Sequence, residues 1–343
     1  MLAALVGLYY AQRLHMTWAG TTPRNDFFAL WSWSAMIHAV AHPLDLYDAA
    51  KVNAFLHVLD LTFHGHYPFA YPPSFLLLIW PLALMGRWVA YGVWVLVTLA
   101  LYLAAIAQRP WRRPIMLLVL LAPATALTAA AGQNGLLTAA LLIGGCRLIR
   151  ARRPVLAGVL FGLLSCKPQL GVLVPVALLA AGQWRTIAAA AATVLATILA
   201  SAAAFGWMMW VQWGHALFGL SHFVGDNARL FHLMPTITDN LHLLGAGPSL
   251  RISGQAAGAL IAIVCVWLAW RRGTGRLPAA VLLAGTFLAT PYAFYYDLPI
   301  LTCALLDFVL ERVEARGVFT ALELLAVLAA VLLPIPMLVA TRT

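Results

Sequence analysis

Charge is scarce in this sequence: 9% of its 343 residues are Asp, Glu, Lys or Arg, against a hydrophobic share of 63%. A soluble globular chain carries about 25% charged residues, so that class is excluded at once. Cysteine is also scarce. Cys146, Cys166, Cys265 and Cys303 all sit within or at the ends of apolar runs, and with no CxxC or Cys/His metal spacing they read as small packing residues. No GxGxxG, P-loop or DxD is present, which withdraws support from a nucleotide-sugar enzyme. The start, "MLAALVGLYYAQ", lacks a basic n-region and an A-x-A-like site before Arg13, so it reads as a short first span and not as a cleaved signal peptide.

What the chain does contain is apolar sequence at near-spanning length. The runs at 88–107, 114–131, 186–206, 252–270 and 317–340 approach the roughly 20 residues that cross a bilayer. The expected fold is an all-α membrane protein, one integral domain over 1–343, with about 10–12 transmembrane or re-entrant helices. The net charge of +10 comes largely from short arginine clusters, "QRPWRR", "RLIRARRP", "QWR", "WRRGTGR" and "ERVEAR". Each abuts a hydrophobic span, which marks a cytoplasmic face and not a nucleic-acid patch.

Most other titratable residues avoid that face, the exceptions being Asp307, Glu311, Glu314 and Glu323 near or beyond "ERVEAR". All ten histidines lie in 15–66 or 215–242, and Asp26, Asp45, Asp48, Asp60, Asp226, Asp239 and Asp297 fall on the opposite side by crossing parity. Two long loops, 19–71 and 207–250, build that extracytoplasmic face. In each, aromatic and apolar residues recur at helical spacing, as from Phe27 to Val40 and in "WMMWVQWGHALFGLSH", which predicts interfacial amphipathic helices.

Parity also places "GQNG" (132–135), "SCKPQ" (165–169) and "TPYAFYYD" (290–297) on the extracytoplasmic side. The segments flanking Lys167 are then only about 13 residues each, roughly 20 Å of helix, too short to cross alone. One conflict remains open at this level, because spans at 72–86 and 88–108 following Asp26 would put "RPWRR" outside. Either the proline-bearing "YPPSFLLLIWPLAL" is re-entrant, or 154–182 is one long broken helix and the arginine rule fails locally.

Several residues carry candidate chemistry, each beside a plainer role. Gln133 and Asn134 in "GQNG" suit an interhelical turn equally well. Lys167 in "CKPQ" could snorkel to an interface, but a cation beside a proline-broken helix with freed backbone donors suits an anion such as phosphate. Asp26 stands at a helix N-cap position, and it could also take a proton from an acceptor hydroxyl. Tyr295, Tyr296 and Asp297 read as an aromatic belt with a helix-start acid, or as groups binding sugar or phosphate oxygens. His222 and Arg229 are weaker signals for a lipid phosphate.

In order, "NDFFALWSWS…PLDLYD", "YPPSFLLLIWPLAL", "GQNGLLTAALL…RRPVLAGVLFGLLSCKPQLGVLVPVALLA" and "LATPYAFYYDLPIL" resemble glycosyltransferase family 87, integral-membrane enzymes of the GT-C type. The likeness covers nearly the whole chain, and the "GQNG…RRPVLAG…KPQ" block is its most specific part. It implies transfer of a sugar, with inversion, from a polyprenyl-phosphate donor to a glycan, lipid or protein-linked acceptor at the outer face. By position Asp26 matches the general base, and Gln133, Asn134 and Lys167 match polar inserts near the donor phosphate. Tyr295 and Tyr296 stand where the mannosyltransferase branch tends to carry histidine, which leaves the sugar open, a hexose or pentose with mannose among them. Arg229 or His222 then becomes the phosphate partner. The expected partners are the lipid-linked sugar, an acceptor and membrane lipids, with no nucleic acid. The acids are few and dispersed, so no metal or other cofactor is expected to be obligatory. The chief rival is a multi-pass transporter or flippase, since intramembrane polar residues also mark substrate pathways. No two-fold internal repeat supports it. An envelope assembly factor is a third reading.

Overall fold

The computed structural model describes residues 26–40, 42–60, 67–107, 112–226, 228–315 and 319–333, and among them every regular element is a helix. The short span read into 1–12 lies outside the described residues. The all-α membrane architecture holds.

The first helix, α1 (Phe27–Ala39), departs from the interfacial expectation. Phe27 through Leu30, Ser32 through Ser34 and Met36 are buried, so its first turns have no wet side. Several of its polar groups are satisfied inside the protein instead, although the buried Ser32 hydroxyl has no partner among the described residues. The Ser34 hydroxyl donates to the Trp80 carbonyl at 2.7 Å and accepts from the Ala83 N–H at 3.0 Å. The Trp31 and Trp33 indole N–H groups reach the Met85 and Tyr67 carbonyls at 3.1 Å each. Tryptophans that the sequence places at headgroup level thus spend their donors on neighbouring backbone. A 3₁₀ turn (Pro43–Tyr47) leads to α2 (Ala49–Leu59), capped by Asp48, whose carboxylate accepts from the Ala50 and Lys51 N–H groups.

The next two elements bear on the conflict over "RPWRR". Helix α3 (Pro73–Ile79) and the 3₁₀ turn Trp80–Leu84 that continues it are too short to cross, and they pack back against α1. That packing favours the re-entrant alternative for the "YPPSF" segment. Helix α4 (Arg87–Ile106) is long and apolar enough for a full crossing. It begins beside α1, with the Arg87 guanidinium 5.5 Å from the Phe28 ring centroid. It ends beside Arg147, which donates to the Ala105 carbonyl.

From that end the chain returns through α5 (Arg112–Leu121) and α6 (Pro123–Ala131), so the apolar run 114–131 is two helices broken before Pro123. Helix α7 (Gly135–Arg150) descends again. Its 16 residues separate Gln133 and Asn134 from the arginines by about 24 Å. Helix α8 (Pro154–Leu163) rises, two 3₁₀ turns (Leu164–Cys166 and Pro168–Leu170) flank Lys167, and α9 (Val174–Ala180) follows.

Helix α10 (Trp184–Phe205) fixes the direction of this hairpin. A Cβ on Gly158 would meet Thr186, Ala189 and Ala190, and one on Gly162 would meet Ala190 and Thr193. Four residues along α8 match about four along α10 in the same sense, so the two helices run parallel. The chain must therefore return between them, which makes "SCKPQ" the tip of a hairpin whose two ends share the arginine side. The Gly158/Gly162 pair is what lets the backbones approach this closely.

Helices α11 (Met208–Asp226), α12 (Ala228–Phe231) and α13 (Ile237–Leu243) then stay at the opposite end. Helices α14 (Pro248–Arg271), α15 (Arg276–Ala289) and α16 (Pro299–Ala315) alternate down, up and down, and α17 (Ala321–Leu332) closes the described chain. Among the described residues α4, α10 and α14 are long and apolar enough to cross a bilayer unaided. Among the described residues Arg147, Arg150, Arg153, Arg185, Arg271 and Arg276 lie at one end of the bundle, and "GQNG", "SCKPQ" and "TPYAFYYD" gather at the other.

Candidate active site

The two glycines of "GQNG" pull distant parts of the chain together. Gly132 adopts φ of 68° and closes α6 as its left-handed cap. A Cβ there would lie 2.5 Å from the Phe27 Cβ, beside Asp26. A Cβ on Gly135 would lie 1.6 Å from the Tyr296 carbonyl oxygen. Thr128 donates its hydroxyl to that same carbonyl at 3.0 Å. The start of α1, the α6–α7 turn and the loop before α16 are thus in direct contact.

Lys167 completes the assembly. It is 2% exposed, and its Nζ donates to Asp297 Oδ1 at 2.6 Å and to Asn134 Oδ1 at 3.2 Å. The same ammonium lies 4.6 Å from the Tyr296 ring centroid. Asp297 Oδ2 accepts from the Phe294 N–H at 3.1 Å. Two features of the Lys167 expectation change here. The charge it meets in the fold is a carboxylate of its own chain. At the break beside Pro168 two backbone donors are also already taken, because Lys167 N–H bonds the Leu164 carbonyl and Leu170 N–H bonds the Lys167 carbonyl, at 2.8 and 3.1 Å.

Asp26 occupies the N-cap position of α1, yet its side chain makes no cap hydrogen bond. It accepts instead from the Tyr295 hydroxyl at 3.3 Å. Asp26, Gln133, Lys167, Tyr295 and Tyr296 all line one cavity of about 470 Å³, with Asn134 and Asp297 directly behind Lys167. The side chains of His222 and Arg229 lie outside the described residues, although Leu217 and Leu230 on either side of that segment line the cavity.

Much of the remaining wall is aromatic, with Trp33, Tyr71, Trp213, Tyr292 and Phe294 beside prolines and leucines. Burial pushes the Tyr71, Tyr292 and Tyr296 phenols well up from their ordinary value, and the Asp297 carboxylate adds to it in each case. They stay protonated at neutral pH, as neutral donors against flat ring faces. Such walls suit a pyranose, whose C–H face stacks on aromatics while its hydroxyls find donors and acceptors. The sequence contained these aromatics, but their spacing reads as a membrane-interface signal, so their inward orientation was not visible there.

The family model of glycosyltransferase family 87 matches residues 69–291, about two thirds of the chain. The chain belongs to that family. No curated protein and no solved structure matches it. The matched segment contains Gln133, Asn134 and Lys167, while Asp26 lies before it and Tyr295, Tyr296 and Asp297 lie after it. The fold joins Asp26, Tyr295 and Tyr296 to the family's segment in a single cavity, with Asp297 behind Lys167. Family membership and the long apolar helices together make the protein a membrane glycosyltransferase.

Proposed function

We propose that this cavity moves a hexose or pentose, with mannose a candidate, from a polyprenyl-phosphate donor to a hydroxyl of a glycan or lipid acceptor at the extracytoplasmic face of the cell membrane. The observation that carries the reading is the convergence of Asp26, Gln133, Lys167 and Tyr295 on one aromatic-walled cavity, at the end of the bundle remote from the arginine runs.

In this reading the Asp26 carboxylate takes the acceptor O–H proton, and the freed oxygen attacks the anomeric carbon. The bond from that carbon to the phosphate oxygen breaks, and its electron pair leaves with polyprenyl phosphate. A single displacement inverts the anomeric centre. Tyr295 positions Asp26 by donating to it, and its own hydroxyl keeps the carboxylate turned away from the α1 backbone. Asn134, Lys167 and Asp297 act as a neutral, rigid cluster under the sugar, fixing its hydroxyls through Gln133 and the ammonium. The charge growing on the phosphate is assigned to Arg229 or His222, in the segment between Leu217 and Leu230.

The test uses the full chain in nanodiscs with a panel of polyprenyl-phosphate sugars and extracted envelope acceptors, following release of polyprenyl phosphate. Release with one donor, dependent on acceptor and unaffected by EDTA, is the expected result. A folded protein that turns over no donor in the panel would contradict the proposal.

A further inference from the structure

A second cavity of about 400 Å³ lies at the arginine end, between α4, α7 and α8. Leu101, Ala104, Leu141, Gly144 and Leu160 form apolar walls, and Arg147 is the charged residue among its lining. The small residues open a slot where Leu-sized side chains would close it: a Cβ on Gly144 would already lie 2.9 Å from a Leu160 methyl. Beside the slot, Val97 and Leu101 of α4 and Val155 and Leu156 of α8 are exposed, as lipid-facing positions are on a spanning helix. The slot therefore opens toward the hydrocarbon and carries its charge at one end.

That end holds more cation than its carboxylate can neutralise. Asp307, fully buried, lies 4.0 Å from Arg147 and 3.4 Å from Arg150, so two guanidinium groups share one aspartate. Arg147 Nε and Nη2 are buried with no hydrogen-bond partner among the described residues, a shortfall that costs free energy until an acceptor arrives. The chain then continues through exposed Arg152 and Arg153.

Arg152 adds an independent sign. It closes α7 with φ of 57°, and it stands alone as a non-glycine residue with positive φ among the described residues. Arg153 N–H bonds the Leu148 carbonyl at 2.8 Å, completing a helix end at which glycine is the residue of least strain. A charged side chain held where glycine would sit more easily points to a use for the charge.

We propose that this slot binds one anionic glycerophospholipid, an acyl chain lying between α4 and α8 and the phosphate meeting Arg147 and the α7–α8 turn. Basic pockets between membrane helices are a general fit for anionic lipid headgroups, and bidentate guanidinium–phosphate contact rewards arginine over lysine. The site is about a full helix length from the transfer cavity, so it serves anchoring and orientation and not sugar transfer.

Native mass spectrometry of the full chain released from bilayers of equal phosphatidylglycerol and phosphatidylcholine tests it. One retained phosphatidylglycerol per chain is expected, favoured over phosphatidylcholine by about fivefold or more, the weight of a single basic residue near an anionic surface. Ala104→Phe, which fills the slot from its exposed side, should abolish that retention. Arg152→Gly should reduce it by about fivefold while melting no lower than wild type, because glycine accepts the backbone conformation. Equal retention of both lipids by wild type, or wild-type phosphatidylglycerol retention by either variant, would overturn the assignment.

Discussion

Lys167 and Asp297 show how much a single buried pair constrains. Both are desolvated, and each finds in the other a partner at 2.6 Å. Removing one partner leaves a charge stranded at membrane depth, at a cost of about 3–5 kcal/mol, whereas replacing both with apolar residues of similar volume is often neutral. Lys167→Ala and Asp297→Ala should each lower the melting temperature sharply in detergent. Lys167→Met combined with Asp297→Leu should recover most of that loss and still be inactive, because the polar floor of the cavity is gone. A double variant as unstable as the singles would show that the pair is not the stabilising unit. The sequence marked Lys167 as unusual through its apolar surroundings, but it could not supply the partner, which lies 130 residues away. Asp26 is similar: its place at a helix start is local information, and its bond to Tyr295 is not.

Among the elements, the α6–α7 turn does the most joining. Its glycines accept contacts that no other residue could, so Gly135→Ala must push the Tyr296 carbonyl out of place and disturb Asp297 and Lys167 with it. Expected is a folded or partly destabilised protein with transfer reduced by at least about 100-fold, in line with the sensitivity of positioned groups to displacements of an ångström. Activity within a fewfold of wild type would mean that the contact is dispensable. Helix α13 offers a second test at this scale. Asp239 is buried there, and burial raises its carboxyl above the ordinary aspartate value, with the Thr236 hydroxyl, Arg251 and His242 pulling the other way. The folded state therefore holds that proton more tightly than the unfolded state. Its contribution is favourable below the unfolded pKa and is lost as pH rises through the folded one. Asp239→Asn should match wild type in thermal melting at acid pH and exceed it progressively toward neutrality; an unchanged difference across that range would contradict the assignment. Helix α1 marks the limit of pattern reading, since its serines and tryptophans mimic a wet face until the re-entrant α3 segment is seen to cover them.

For the molecule as a whole, arginine placement carried the topology further than any single span did. Five short basic runs suggested which turns belong together but left 154–182 open between a hairpin and one long broken helix, and the parallel packing of α8 and α10 through Gly158 and Gly162 favours the hairpin. What pattern could not decide was the crossing of 72–86, because a proline-bearing apolar stretch reads the same whether it spans or returns. In a cysteine-free background, single cysteines at exposed Ser249 and exposed Arg153 should react with impermeant maleimide from opposite sides of sealed vesicles; reaction from one side alone would undo the bundle orientation described. The central claim is that Asp26 is the base in the transfer cavity, and release of polyprenyl phosphate by Asp26→Asn, measured at saturating donor alongside donor binding, tests it most directly. The account predicts intact binding with release lowered by about 10²–10⁴-fold. Release at the wild-type rate from a variant that binds donor normally would contradict it.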